Sequence, residues 1–396
     1  AETVIADPTK QTAEVVESVR KLQSYISKTY QDINFYQSGI VMMNNAFGEA
    51  TIYDMSHLLT KALLLILITV FLLLRSVSGT ITTMLVIVFS VITAFGLAGW
   101  LRIELSSPVM SAPVIIMTLA VADCVHVLST WVTEMRHGRD KYSAMRESLR
   151  VNFMPVFLTS ITTAIGFLSL NSSEAPPFRD LGNVAAMGVM AAFVFSIFLL
   201  PALATILPVR VKPDETKTLK IMASFAEWVI ANQKSLLLGM SVIAILLVAM
   251  IPRNELNDVY VEYFDERIKF RTDTDFIVNN LTGIYYVDYS ITTKESGDIS
   301  KPETLAKIKK FADWMEQQPE VIHVNTVTDT FTRLNKNLHG DDPSCYKLPD
   351  SRELAAQYLL LYEMSLPFGL DLNNQIDIDK KSTRLSVTME TISTQQ

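Results

Sequence analysis

The sequence predicts an α-helical polytopic membrane protein with folded α+β material at both ends. Six apolar runs of about twenty residues predict the membrane part, since that length crosses a bilayer core. Basic residues crowd alternate short loops, and helix and strand periodicities appear only in the two terminal stretches. Composition agrees, because 49% hydrophobic with 19% charged residues lies between a pure membrane bundle and a soluble domain. A net charge of −7 argues against a nucleic-acid partner, which favours a basic face. The two cysteines, Cys124 in an apolar stretch and Cys345 in a polar one, suggest neither a disulfide nor a metal site. No cofactor is expected.

Residues 1–56 form the first terminal piece. Residues 11–29 have helical apolar spacing, and residues 33–39 read as a strand before the chain enters the membrane. The membrane domain, 57–252, holds spans at about 57–75, 80–101, 108–132, 153–172, 183–208 and 235–252. Lys61, near the start of the first, can snorkel to the interface. Pro201 in the long fifth span predicts a kink or an early end. The second terminal piece, 253–396, alternates strand and helix: strands at 283–293, 320–331 and 383–392, helices at 302–319 and 351–364. That alternation predicts a small α+β layer.

Orientation follows from the loops. Arg75 lies in the first; Arg136, Arg139, Lys141, Arg146 and Arg150 in the third; Arg210, Lys212, Lys217, Lys220 and Lys234 in the fifth. The intervening loops hold only Arg102 and Arg179. Both terminal pieces are therefore expected on the outer side. Residues 218–231, with Ile221, Phe225 and Trp228 on one side, are expected in the inner interface.

Asp123 is the one carboxylate between Glu104 and Glu134, and only His126 accompanies it there as a chargeable group. At about 1.5 Å per residue it lies about 22 Å from Pro108 and 16 Å from Glu134, deep in the hydrocarbon. A charge there costs about 2.5–3.5 kcal/mol even on the lenient insertion scale, so such residues mark ion or proton pathways. His126, at i+3, shares a helical face with Asp123 and is suited to proton exchange near neutral pH. The plainer alternative is that His126 only bonds a neighbouring helix. The next span offers Thr159, Ser160, Thr162 and Thr163, of which Thr162 and Thr163 are expected to contact Asp123. Such hydroxyls also bond their own helix backbone. The small residues Gly182, Ala185, Ala186, Gly188, Ala191 and Ala192 are expected to mark close helix packing.

Three patterns in successive spans carry a resemblance: V-A-D-x-V-H over 121–126, T-S-x-T-T-x-x-G-F-x-S-L over 159–170, and F-R-D-L-G over 178–182 followed by L-L-P-A-L over 199–203. The chain resembles the resistance-nodulation-division (RND) superfamily, nearest to its MMPL and hopanoid-exporter branch and more distantly to Patched and sterol-sensing-domain proteins. The resemblance implies half of a twelve-helix RND architecture. The six spans would be helices two to seven, with 1–56 the end of a first ferredoxin-like porter domain and 253–396 the start of a second. The chain starts without Met or signal peptide and ends abruptly, which reads as an internal piece of a longer protein.

By the same resemblance, Asp123 matches the fourth-helix carboxylate that couples proton entry to export. The relatives' flanking glycines and tyrosine are here Ala120, Ala122 and Cys124. The implied activity is proton-driven export of hydrophobic or amphipathic, lipid-like compounds across a bacterial inner membrane, with Asp123, His126, Thr162 and Thr163 as the relay. Implied partners are the small-molecule substrate, protons, membrane lipids, further copies of the chain and periplasmic accessory proteins. A sterol-sensing or lipid-binding receptor that does not transport is the alternative, and a motor assisting protein secretion a third. An enzyme is not expected: no nucleophile–base pair, phosphate loop or metal cluster stands out.

Overall fold

The computed structural model describes residues 8–209, 217–254, 257–367 and 372–393. It separates into two compact units, Ala46–Ala249 and the terminal stretches Ala1–Asn45 with Met250–Gln396. The chain opens with helix α1, Pro8–Thr29. Among the described residues, six helices long and apolar enough to cross a membrane follow: α2 Ile40–Leu74, α3 Val77–Trp100, α4 Val109–Arg136, α5 Lys141–Ser172, α6 Pro176–Ile206 and, after α7 (Lys217–Ala231), α8 Gln233–Arg253.

The apolar runs coincide with these helices, overrunning none by more than two residues, but three helices extend well beyond them. Helix α2 starts 17 residues before position 57, through a segment containing Asn44, Asn45, Glu49 and Asp54 that apolar-run reading passes over. Helix α5 starts 12 residues before position 153, and α6 starts seven before 183. Pro201 does not end α6. A π-turn at Phe195–Leu199 precedes it and the helix continues to Ile206, an adjustment that accommodates a residue lacking an N–H. Phe225 and Trp228 of α7 stack, with ring centroids 6.1 Å apart. Arg210 and Lys212, two of the fifth-loop cations, lie outside the described residues, as do the side chains of Lys217, Lys220 and Ile221.

The connection between α2 and α3 is short and capped. Arg75 takes a left-handed conformation at the end of α2, and Ser76 caps α3 by accepting from the Gly79 N–H at 3.2 Å. Helices α3, α4 and α5 all pack on α6, and α4 also packs on α2, α3 and α5. Their contacts are close because small residues line them. A Cβ on Gly188 would overlap Ile116, and one on Gly182 would overlap the Phe167 carbonyl. Trp131, Leu128, Leu200 and Val86 fill the core around the C-terminal half of α4. In lipid such packing, rather than water exclusion, holds helices together. No residue of α8 is buried.

The terminal unit contains helix α9 (Lys269–Asn280), strand β1 (Tyr285–Thr292), helix α10 (Pro302–Met315), strand β2 (Val321–Asn325), helices α11 (Val327–Leu338) and α12 (Arg352–Ser365), and strand β3 (Ser382–Met389). The sheet order is β1-β3-β2, with β3 antiparallel to both neighbours. On β3, Thr383, Leu385 and Val387 alternate inward, and Ile308 and Ala312 of α10 close over the last two with Val324 of β2.

Two expectations fail here. Residues 33–39 form no strand; the Gln37 N–H instead donates to Asp273 at 3.2 Å, the hydroxyls of Ser38 and Thr274 bond at 2.8 Å, and Tyr36 stacks on Phe276 at 3.7 Å. The expected strand over 320–331 stops at Asn325, because Thr326 and Asp329 form a capping box that starts α11. Helix α9 had no counterpart among the expected elements.

Across the sheet, Arg384 grips Asp288 through two hydrogen bonds of 2.9 and 3.0 Å. Burial pushes the Asp288 carboxyl up, but the bonds from Arg384 and Ser386 and the Arg384 charge outweigh it and hold it below the usual range. A depressed folded value adds stability above the unfolded carboxylate pKa, and that stability is lost as pH falls through the folded value. Both side chains are more than a third exposed, so screening limits the pair to about 1 kcal/mol or less. Arg384→Leu is therefore expected to speed amide exchange in β1 and β3 severalfold near neutral pH and to have a smaller effect in acid.

Candidate functional site

The site lies on the α4–α5 hairpin. Gly138, at φ 90°, makes the turn, and Asp140 caps α5 by accepting the Ser143 N–H at 3.2 Å. Hydrogen bonds from Ser143 hold the Asp140 carboxyl below its usual range. The Trp131 indole N–H donates to the Lys141 carbonyl at 3.0 Å, fastening the hairpin's closed end. These local contacts set which residues of the two helices meet.

With that register, Ser160 of α5 meets Asp123 of α4. Asp123 is 4% exposed, and the Ser160 hydroxyl donates to its Oδ2 at 3.2 Å. No cation pairs with Asp123 among the described residues. Toward the turn, the Ser148 hydroxyl donates to the Val127 carbonyl at 2.6 Å, and Asn152 Nδ2 donates to Thr130 Oγ1 and the Ser148 carbonyl, each at 2.9 Å. Polar contacts thus recur along the α4–α5 contact on either side of the buried Val156, at Asp123–Ser160 and again toward the loop. Beyond them Arg139 pairs with Glu134 at 3.1 Å and with Glu147 at 3.6 Å.

The expected relay residues are not all brought together. Thr162 is exposed and donates to the Leu158 carbonyl at 2.6 Å and the Thr159 carbonyl at 3.1 Å. Two residues rotate a helix by about 200°, which turns Thr162 away from the side that Ser160 presents to Asp123. Thr163 shares the Ser160 side but lies one turn on, half-buried, and no hydrogen bond links it to Asp123 among the described residues. His126 is exposed, and no hydrogen bond or ion pair links it to Asp123 among the described residues. It belongs to an outward stripe on α4 with Thr118, Ser129 and Thr133.

Ser160, Ser148 and Asn152 were not singled out beforehand as partners of α4. A signal existed: positions 148, 152, 156, 160 and 164 repeat at i+4, and all five are buried. Cys124 lies 3.6 Å from the Ser196 hydroxyl in the π-turn of α6. This puts a π-bulge, a feature frequent at functional sites, one residue from Asp123.

The sequence profile of the MMPL family matches residues 3–249, which include all of the helices that build this site. The chain is 28% identical over 169 residues to "Putative membrane protein MJ1562" of Methanocaldococcus jannaschii, covering 43% of this chain and 44% of that one. The chain therefore matches less than half the length of this relative.

Proposed function

The chain belongs to the MMPL family, and from that premise we propose that it is part of a proton-driven exporter of hydrophobic or amphipathic, lipid-like compounds. The observation that carries the reading is Asp123, a buried mid-span carboxylate with a hydroxyl donor and, among the described residues, no cation partner. A proton arriving or leaving there changes a full charge at the α4–α5 contact, in a medium that screens poorly. The geometry favours Ser160 over Thr162 and Thr163 as the orienting hydroxyl, and the Asn152–Thr130–Ser148 set as the polar continuation toward the basic loop.

On this reading the protein is a multi-pass protein of a bacterial inner membrane, with the terminal stretches in the periplasm. The β1-β3-β2 sheet, with β3 inserted between β1 and β2, is the beginning of a ferredoxin-like porter domain of the split β-α-β kind. The outward stripe of Thr118, His126, Ser129 and Thr133 suits protein or water better than lipid. It supports further helices against α4, as in a twelve-helix RND arrangement. His126 then acts toward that second half.

The test uses the full-length protein in sealed vesicles loaded with a fluorescent amphiphile. An imposed proton gradient is expected to drive its movement, and a protonophore to stop it; movement that persists after the gradient collapses would overturn proton coupling. Amphiphile binding without any movement would favour the lipid receptor. Ser160→Ala is expected to slow proton-driven movement about five- to tenfold, the effect of about 1 kcal/mol from one lost hydrogen bond, with Ser160→Thr closer to wild type.

A further inference from the structure

We propose that the membrane unit carries a lipid seat: a groove on α6, between α3 and α5, that holds one acyl chain of a membrane phospholipid with its phosphate at the Arg102 loop. The seat is separate from the Asp123 contact and does not depend on proton coupling. Helices α3 and α5 both pack on α6 and leave between them a cavity of about 650 Å³, within the range of about 300–1,000 Å³ that holds small ligands. Its lining is almost wholly apolar. Ala186, Met190 and Ala191 form the floor, Leu97 one wall, and Ile161 and Leu168 the other. Of the small residues expected to mark close packing, Gly182, Gly188 and the buried Ala186 do so, and Ala186 also lines the groove together with the half-buried Ala191.

The length of the groove matches one acyl chain of one leaflet. From Asn183 to Val194, both lining residues, α6 rises about 16 Å, and one leaflet of a hydrocarbon core of about 30 Å is about 15 Å deep. An extended hydrocarbon chain that reaches from the headgroups to the bilayer midplane matches that length.

The ends differ as a lipid's ends do. At mid-membrane the groove finishes on Val194 and Phe195. At the loop end Asn183 pairs amide to amide with Asn171, at 2.8 and 3.2 Å. There Leu101 and Ile103 line the groove on either side of Arg102, which is exposed and in no ion pair among the described residues. An arginine at the level where phosphates lie is a charge-assisted, bidentate donor for one. The match of leaflet depth with a cation at the headgroup end is what distinguishes this groove from the exposed apolar faces of α2 and α8.

The experiment reconstitutes the full-length protein with a phosphatidylglycerol carrying a photoreactive diazirine near the end of one acyl chain, and maps the adducts by peptide mass spectrometry. Adducts are expected to concentrate between Ala186 and Val194. They should fall about tenfold in Ala191→Phe, while labelling around Leu72 on the outer surface of α2 is unchanged. Arg102→Ala, at an exposed loop position, should also lower groove labelling about tenfold, the effect of one lost charge-assisted contact. A diacylglycerol probe with the same chain should label weakly in either background. Even labelling of all exposed helix faces, indifferent to Ala191→Phe, would overturn the seat. So would an unlabelled groove, and equal labelling by the two probes would overturn the role of Arg102.

Discussion

Asp123→Asn is expected to reduce proton-driven export on the order of 100-fold or more, the lower part of the range that a positioned proton-transfer group contributes, without lowering the amount of folded protein. The amide has nearly the size of the carboxylate, so the 4% exposed site need not repack. It can still accept from the Ser160 hydroxyl, which now donates at 3.2 Å. What it cannot do is lose a proton. Asp123→Glu keeps the titration but adds a methylene to a buried contact and is expected to retain part of the activity. Export assayed in vesicles, with folded protein quantified by size-exclusion chromatography, separates these outcomes. Export by Asp123→Asn at the wild-type rate would remove Asp123 from the mechanism.

Gly182→Ala is expected to be the most damaging single-methyl change in the membrane unit. A Cβ there would overlap the Phe167 carbonyl oxygen and come within 2.9 Å of Leu170 Cβ. A carbonyl fixed in a helix cannot rotate aside, so α5 and α6 must separate, at a cost of about 1–3 kcal/mol or more. Gly166, on α5, is the control: nothing lies within 4 Å of its added Cβ. There alanine should be neutral, or stabilising by up to about 1 kcal/mol through helix propensity. Thermal unfolding of the purified full-length variants should show a lower midpoint for Gly182→Ala and an equal or higher one for Gly166→Ala. At Gly188 the obstruction is the Ile116 side chain, which can shift partly, so Gly188→Ala should fall between them.

What could be read in advance follows from how local each determinant is. The membrane helices were legible because a run of about twenty apolar residues is a one-dimensional signal. The polar stretch of α2 before position 57 and the amphipathic start of α5 were missed for the same reason: they are helical without being apolar. Asp123 stood out as a lone carboxylate, but its partner did not. Choosing Ser160 over Thr162 depends on the register of two helices, and that is set by Gly138, Asp140 and the Trp131–Lys141 bond rather than by hydroxyl content. In the terminal unit, the alternation of β3 was plain. The end of β2 lay in a Thr326–Asp329 capping box embedded in β-branched residues, where helix and strand preferences compete. Residues 33–39 looked strand-like by composition, yet their partners are the Asp273, Thr274 and Phe276 side chains some 236 residues later.

The central claim is that Asp123 itself takes up and releases the proton, and infrared difference spectroscopy of the full-length protein in lipid tests it directly. On acidification the wild type should gain a carboxylic-acid C=O band that Asp123→Asn lacks and that Ser160→Ala moves, because the Ser160 hydroxyl is bonded to that carboxylate. Identical difference spectra for wild type and Asp123→Asn, across the pH range over which export varies, would contradict the account.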